Sequence, residues 1–234
     1  MGYGPPKRMP PAPGHPIRRG GLPWIYATWL AKLLGGDQCT WSAWFKARFR
    51  YVKFEEQALD LAEWNRDHNA LMRDRKQELE ECGYRVMTEA QNEFTLSGQS
   101  AIVVGKPDII AVEEAVEDPR VLIVDGKTGR ERDSDVWQVF LYLYAYPLCR
   151  LDVKGKYAGE VHYKRGDKRV PVPIASLTPD RRNDIIKMVK VIAGPEPTRS
   201  PSREECKRCN IGAADCPERF KESALVGAGI AAEF

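Results

Sequence analysis

The sequence predicts a mixed α/β or α+β fold in which helices pack on one sheet. Three strand-like runs lie between two helical segments, and a further strand follows the second helical segment. With 234 residues, of which 43% are hydrophobic, the chain is long enough to bury one sizeable core. This order of elements around a single core is typical of a sheet covered by helices.

The helices are indicated by apolar residues at helical spacing. The first covers residues 24 to 34 and stops at two glycines, and the second covers residues 55 to 82, with Gly83 just beyond its end. Two more cover residues 135 to 149 and 179 to 192. We expect these segments to form the helical layer of the fold.

The strands are indicated by short apolar or alternating runs bounded by turn residues. Three runs cover residues 84 to 96, 100 to 112 and 120 to 127, and an acidic turn separates the second from the third. Two shorter strands are expected at residues 157 to 163 and 170 to 174. These runs are expected to form the sheet.

One domain is the economical interpretation of this organisation, with a tail at each end. Residues 1 to 23 are rich in proline and glycine, and their charged side chains are all basic, so we expect a flexible basic tail. We assign residues 24 to 220 to the domain and residues 221 to 234 to a C-terminal tail.

Overall charge and hydropathy exclude some classes of protein. Lys and Arg exceed Asp and Glu by 36 to 33, which is a weak indicator of nucleic-acid binding. No apolar run approaches the roughly 18 residues of a membrane helix, and the N-terminus lacks the hydrophobic segment of a secretory signal. We therefore expect a soluble cytoplasmic protein in a reducing compartment, with no membrane partner.

Aromatic and basic residues alternate in the stretch CTWSAWFKARFRYVKF, residues 39 to 54, which contains no acid. One interpretation is a platform for single-stranded nucleic acid, because aromatic rings stack on bases and cations hold phosphates. The other is an amphipathic element whose rings lie in the core. Under the first interpretation, the candidate DNA contacts are Trp41, Lys46, Arg48 and Arg50.

Two aspartates stand at comparable places on adjacent predicted strands. Asp108 interrupts GKPDII and Asp125 interrupts IVDGK. A buried carboxylate is costly unless a positive charge pairs with it, and two converging carboxylates suit one Mg²⁺ or Mn²⁺. Lys127 shares a side of the strand with Asp125 and would place an ammonium beside the metal. The alternative is a solvated strand end with a turn at Gly126.

Four of the six cysteines have a spacing that suggests ligation rather than disulfides. Three form a C-x2-C-x6-C cluster and the fourth lies far upstream. Four thiolates suit a [4Fe-4S] cluster or a tetrahedral zinc, and the spacing does not decide between them. The four candidate ligands are Cys39, Cys206, Cys209 and Cys216. We interpret the remaining two, Cys82 and Cys149, as structural.

Taken together, these motifs resemble those of the PD-(D/E)XK nuclease superfamily. Pro107-Asp108 followed by Asp125-Gly126-Lys127 resembles its signature, and the order of elements is similar to its αβββαβ core. Gln138 and Tyr142 are four residues apart and share one helix face. They resemble the Q-x-x-x-Y motif of the RecB-type branch.

The resemblance implies a complete catalytic site. It implies that the metal ligands are His68, Asp108, Asp125 and Gly126. It implies that the catalytic residues are Asp108, Asp125, Lys127, Gln138 and Tyr142. A further acidic position of the family corresponds to Glu89 or Glu93 on the first strand, and we prefer Glu89.

One cysteine before the core and three after it is similar to the iron-sulfur RecB-type nucleases, which include the CRISPR adaptation nuclease and exonuclease V. This resemblance implies a [4Fe-4S] cluster that ties the C-terminal segment to the N-terminal helix. It also implies a Mg²⁺- or Mn²⁺-dependent exonuclease or endonuclease acting on single-stranded DNA or DNA ends. The setting would be CRISPR adaptation, an antiviral defence, or DNA repair and recombination, alone or within a larger nuclease, helicase or CRISPR integrase assembly.

The sequence departs from the family pattern at two places. Thr40 follows Cys39 where many relatives have proline, and Asp125 stands where this branch often has glutamate. Two other interpretations remain open from the residues alone. The chain could be a DNA-binding or scaffolding subunit with little activity of its own, or a zinc-stapled α/β protein in which Asp-Gly-Lys is only a turn.

Overall fold

The computed structural model describes residues 11–54, 61–114 and 116–220. The expectations for residues 1 to 10 and 221 to 234, which belong to the two tails, lie outside this part of the chain. The described helices are α1 Ala27–Leu34, α2 Thr40–Arg48, α3 Leu61–Glu81, α4 Asp133–Cys149, α5 Pro179–Ala193 and α6 Arg203–Arg208. No helix in these ranges is both long enough and apolar enough to cross a membrane.

The strands form two sheets and a short ribbon. Their bounds are β1 Ile17–Arg18, β2 Trp24–Tyr26, β3 Phe49–Arg50, β4 Tyr84–Thr88, β5 Phe94–Ser97, β6 Ile102–Gly105, β7 Ile109–Glu113, β8 Arg120–Lys127, β9 Lys156–Tyr163 and β10 Lys168–Pro173. One sheet has the order β10-β9-β8-β7-β4, with β8 and β9 parallel and the other neighbours antiparallel. The second has the order β2-β6-β5, and β1 pairs with β3. The mixed α/β prediction is confirmed, although the strands form more than one sheet.

The first two predicted strands are each divided between the two sheets. Residues 84 to 96 form β4 and β5, separated by a short 3-10 turn, and residues 100 to 112 form β6 and β7. The second division falls at Pro107, which has no N–H to donate to a ladder. The Asn92 side chain connects the break between β4 and β5 to the break between β6 and β7. Its Nδ2 donates to the carbonyls of Met87 at 2.9 Å and Pro107 at 3.2 Å.

The other elements lie close to their predicted places. The strand at residues 120 to 127 has the predicted bounds, and α4 and α5 agree with the prediction within two residues. The helix predicted from residue 24 is a strand until Tyr26 and becomes a helix at Ala27, because Trp24 to Tyr26 pair with β6. Of the long helix predicted at residues 55 to 82, residues 55 to 60 lie outside the described part.

The core occupies both faces of the five-stranded sheet. Ile110, Val121 and Ile123 contact the α4 side, where the largest cluster of buried side chains lies. Ile109 and Val124 face the opposite way, toward a smaller cluster. The α3 members of that cluster are Leu71, Met72 and Leu79. Strands buried on both faces explain the nearly continuous apolar runs in the sequence.

The α2–β3 segment connects the N-terminal residues to the C-terminal part of the domain. Within the segment expected to be a flexible tail, Ile17–Arg18 form β1 and pair with β3. The Arg48 guanidinium donates to the carbonyls of Ala193 at 2.6 Å and Gly194 at 2.8 Å at the end of α5. The Phe54 N–H donates to the carbonyl of Asn210 at 2.8 Å.

Gly159 of β9 is a sensitive test of how α4 packs on the sheet. A Cβ at this position would lie 2.2 Å from Val139 Cγ1 and 3.3 Å from Leu143 Cδ1. We expect Gly159→Ala to lower the free energy of unfolding by about 1–3 kcal/mol, because an extra methyl in a packed core forces side chains out of place. Urea titration followed by circular dichroism measures this. The control Gly129→Ala, where nothing lies within 4 Å, should change stability by less than about 0.5 kcal/mol; equal effects of the two variants would contradict this packing.

Candidate active site

Asp125 lies near the C-terminal end of β8 and is buried, with 2% of its surface exposed. Its Oδ1 accepts a hydrogen bond from Gln138 Nε2 at 2.8 Å. Its Oδ2 forms an ion pair with Lys127, whose Nζ lies 2.7 Å away. Burial raises the pKa of Asp125 to about 6. The positive charge of Lys127 acts to lower this pKa, and the negative charge of Asp108 acts to raise it further.

Lys127 is surrounded by three carboxylates. Burial acts to lower its pKa, but the charges of Asp125, Asp135 and Asp108 outweigh this and hold the pKa above its ordinary value. Its Nζ donates to Gln138 Oε1 at 3.0 Å and lies 4.0 Å from Asp135 Oδ1. The side chain therefore carries a positive charge at neutral pH and holds it beside Asp125.

Asp108 lies at the break between the two sheets, opposite the end of β8. Its Oδ2 accepts a hydrogen bond from the Gly126 N–H at 2.8 Å and lies 3.3 Å from His68 Nε2. The hydrogen bond between Asp108 and His68 raises the pKa of His68, whereas burial acts to lower it. The Trp64 ring stacks on the imidazole at a centroid distance of 5.1 Å. A Cβ at Gly126 would lie 2.3 Å from Met72 Cε and 3.5 Å from His68 Nε2, so a side chain there would require the end of Met72 to move.

Gln138 and Tyr142 join α4 to the charged end of β8. Gln138 Nε2 is also 2.8 Å from Tyr142 Oη, and that hydroxyl donates to the carbonyl of Lys106 at 3.3 Å. Burial raises the pKa of Tyr142 well above its ordinary value, so the hydroxyl stays protonated. The two side chains thus fix the Asp125 carboxylate and connect it to the break before Asp108.

These side chains line an open cleft of about 680 Å³. Its further lining includes basic residues from three parts of the chain: Lys32, Lys106, Arg130 and Arg132. Burial lowers the pKa of Lys32, and the positive charges of Arg132 and Lys127 lower it further. A concave surface with this concentration of positive charge attracts polyanions.

The donor set of the cleft fits a hard divalent cation. Asp125 supplies a buried carboxylate whose Oδ2 contacts the Lys127 ammonium, and Asp108 supplies a second carboxylate that lines the same cleft. Oxygen ligands of this kind are those that Mg²⁺ and Mn²⁺ prefer. Among the residues that the structure describes, no three His, Cys, Asp or Glu side chains form a group that could hold a metal ion; the Lys127 ammonium stands beside Asp125 instead.

The additional acid expected on the first strand is outside the described side chains. Glu89 begins the short 3-10 turn after β4, and the position of its side chain is not described. Glu93, the other candidate, lines the cleft.

Asp135 is a site residue that the sequence interpretation missed. It is buried and its Oδ1 lies 4.0 Å from Lys127 Nζ. Its Oδ2 accepts hydrogen bonds from the Arg132 N–H and the Tyr163 hydroxyl, both at 3.1 Å. The signal was available, because Asp135 stands three residues before Gln138 and hence on the same side of the helix.

The four candidate cysteine ligands line one cavity of about 50 Å³, although one of them is far from the other three in sequence. Cys206 is buried, and the other three are partly buried against Trp41, Phe45 and Ile211. Cations surround the cavity, and two of these, Lys32 and Arg132, also line the cleft. None of the six cysteines forms a disulfide.

The four residues proposed as DNA contacts have different surroundings. Trp41 is buried and its Nε1 donates to Glu196 Oε1 at 2.6 Å. Arg48 is buried and binds carbonyls at the end of α5. Neither side chain can therefore stack on a base or bind a phosphate, which corrects that part of the prediction. Lys46 lines the cysteine cavity, and Arg50 is half-buried on β3.

Comparison with known proteins identifies the family. The model of the PD-(D/E)XK nuclease superfamily matches residues 26–216. The chain belongs to this superfamily. A PD-(D/E)XK protein is in general a metal-dependent nuclease that acts on nucleic acid, and Mg²⁺ or Mn²⁺ is the typical metal. No curated protein matches the chain.

One solved structure, titled "Crystal structure of SSO0001", is similar to this PD-(D/E)XK chain. It has 13% sequence identity and a TM-score of 0.47, and the match covers 88% of this chain and 90% of that one.

The raised pKa of Asp125 leads to a pH dependence of metal binding. Protons and metal compete for the carboxylate, which is protonated below about pH 6. We expect the affinity for Mn²⁺, measured by isothermal titration calorimetry, to fall by about tenfold or more per pH unit below about pH 6, and the raised pKa of His68 makes the decline begin at a higher pH. Asp125→Asn, which does not titrate, should bind weakly at every pH. An affinity for the unaltered protein that is equal at pH 5 and pH 8 would contradict the expectation.

Proposed function

We propose that the protein is a Mg²⁺- or Mn²⁺-dependent deoxyribonuclease of the RecB-type branch, with its active site in the cleft between β7, β8 and α4. The observation that carries the proposal is the pair of Asp125 and Lys127: the Asp125 carboxylate is buried, the partly exposed Lys127 ammonium lies 2.7 Å from it, and the second aspartate, Asp108, lies beside them. A simple polar turn at the end of a strand has no reason to bury a carboxylate.

The metal ligands in this proposal are Asp108, Asp125, the Gly126 carbonyl and His68. When bound there, the metal supplies a Lewis acid for the phosphate and a water of lowered pKa. The hydrogen bonds that Asp108 accepts from Gly126 and makes with His68 support the proposal, because they hold these groups at one end of the cleft.

The remaining residues have roles that follow from their contacts. The Lys127 ammonium orients the attacking water and stabilises the charge that develops on the phosphate. Gln138 holds Lys127 and Asp125 at once, since its amide binds both, and Tyr142 fixes the amide in turn. Asp135 keeps a second negative charge near Lys127 and so maintains it in the protonated form.

DNA with single-stranded regions or free ends is the substrate that we propose, within CRISPR adaptation or DNA repair. The basic lining of the cleft supports a polyanionic substrate, and the contacts of Gln138 and Tyr142 support the RecB-type assignment. We keep the assignment of residues 24 to 220 to one nuclease domain as part of the proposal.

Cleavage of end-labelled single-stranded and double-stranded DNA with Mg²⁺ or Mn²⁺ tests the nuclease. We expect Lys127→Ala and Asp108→Ala to lower the rate by about 10²–10³-fold or more, as removal of one electrostatic group in a preorganised site does. The matched control is Lys187→Ala, because Lys187 is exposed on α5 and, among the described residues, its salt bridge is with Asp184 of the same helix. Equal cleavage by all variants would mean that the activity is a contaminant, and DNA binding without cleavage would favour a scaffolding subunit.

We also propose that Cys39, Cys206, Cys209 and Cys216 bind a [4Fe-4S] cluster that has an architectural role. Their common cavity and its surrounding cations support this, because a cluster with four thiolates carries net negative charge.

Visible absorbance and metal content of anaerobically purified protein test the cluster. We expect a brown protein with about four iron atoms per chain, and loss of both the colour and the iron in Cys206→Ala. Cys149→Ala is the control, because this cysteine lies at the end of α4 and does not line the cavity. A colourless protein with stoichiometric zinc would contradict the cluster.

A further inference from the structure

A second groove, with a volume of about 730 Å³, adjoins the catalytic cleft. Tyr26 lines both, so the two lie next to each other at this residue. The described residues that line the groove include no acid. Those that matter for its chemistry are Arg18, Arg19, Trp24, Tyr26 and Arg50.

Two aromatic rings of the groove are exposed on an edge strand. β2 is at the edge of the three-stranded sheet, and successive side chains of a strand point to opposite sides. Ile25 is fully buried, whereas Trp24 is 42% and Tyr26 46% exposed. The Tyr26 ring lies 4.8 Å from that of Trp29. Ile25 therefore packs in the core, whereas the rings of Trp24 and Tyr26 are exposed next to the cleft.

The cations of the groove come from the ribbon of β1 and β3. Arg18 lies on β1 opposite Phe49, and Arg50 lies on β3 opposite Ile17. Arg19 follows directly, and its Nε donates to the Phe49 carbonyl at 3.3 Å. Within the described residues, Arg18 and Arg19 form no salt bridge, so their positive charges are not neutralised by a neighbouring carboxylate.

We propose that this groove binds single-stranded DNA where the strand enters or leaves the catalytic cleft. Trp24 and Tyr26 stack on unpaired bases, and Arg18 and Arg19 bind the phosphates. Exposed rings interleaved with cations are the elements that bind single strands without sequence preference, and only unpaired bases offer their faces for stacking. The inference rests on the proposed function, because it takes the cleft as the place where the strand is cut.

Binding of a fluorescein-labelled 20-nucleotide oligothymidylate, measured by fluorescence anisotropy, tests the groove. The measurements use the Asp108→Ala background, so that the probe is not cut. We expect Trp24→Ala to raise the Kd between about 5-fold and 150-fold, the effect of losing one stacked base, and Trp24→Phe to restore most of the affinity. Arg18→Ala with Arg19→Ala should reduce the slope of log K against log salt by about 1.4, which is two phosphate contacts on a single strand.

Two controls separate the groove from general effects. Arg120→Ala removes an exposed arginine at the opposite end of β8 and should leave the Kd within about twofold. Hydrolysis of bis(p-nitrophenyl) phosphate by Trp24→Ala, with Asp108 intact, should equal that of the unaltered protein, because so small a substrate occupies the cleft alone. A loss of this hydrolysis would show that the substitution damages the cleft, which would overturn the assignment of Trp24 to the groove.

The outcomes distinguish this proposal from the nuclease. Binding that Trp24→Ala and the double arginine variant leave unchanged overturns the groove, whatever the nuclease result. Strong binding that depends on Trp24, together with cleavage that does not depend on Lys127, overturns the nuclease and keeps the groove. An equal loss for a 20-base-pair duplex would mean that the groove binds the backbone of either form, which overturns the assignment to single strands.

Discussion

The Asp125 carboxylate is an ionisable group enclosed by an apolar sheet and helix, and its burial constrains the residues around it. Taking a charge out of water costs several kcal/mol unless partners restore the lost interactions. Lys127 supplies the opposite charge at one carboxylate oxygen, and Gln138 supplies a hydrogen bond to the other. The same burial that is costly for the metal-free fold gives a site in which charges interact strongly.

The second carboxylate reaches this place because the chain changes sheets immediately before it. β6 and β7 are consecutive in sequence but belong to different sheets, and the break between them contains Pro107. Tyr142 spans from α4 to the carbonyl of Lys106 in the break, and Gly126 donates to Asp108 across it. The cleft is therefore the space left where the two sheets separate, and its polar lining consists of the groups that the separation exposes.

The charged end of β8 and the polar face of α4 could be predicted because their signals are local. Asp125 and Lys127 share a side by strand alternation, and Gln138 and Tyr142 share a face by helical spacing. The division of residues 84 to 96 and 100 to 112 between two sheets could not be predicted. Two apolar runs on either side of a break have the same pattern as one longer strand. The burial of Arg48 depends on carbonyls 144 to 146 residues away, which no local pattern contains.

Hydrogen bonds join the α2–β3 segment to residues near the C-terminal end of the domain. The ribosome synthesises these two segments at very different times. Tyr51 Oη donates to Asn210 Oδ1 at 2.8 Å across 159 residues. Loop-closure entropy grows only slowly with length, so such a distant contact is thermodynamically little worse than a nearer one. During synthesis, however, Asp108, Asp125 and Lys127 leave the ribosome long before residue 210. The nascent chain can thus assemble β7 and β8 while the contacts between the α2–β3 segment and residue 210 are still absent.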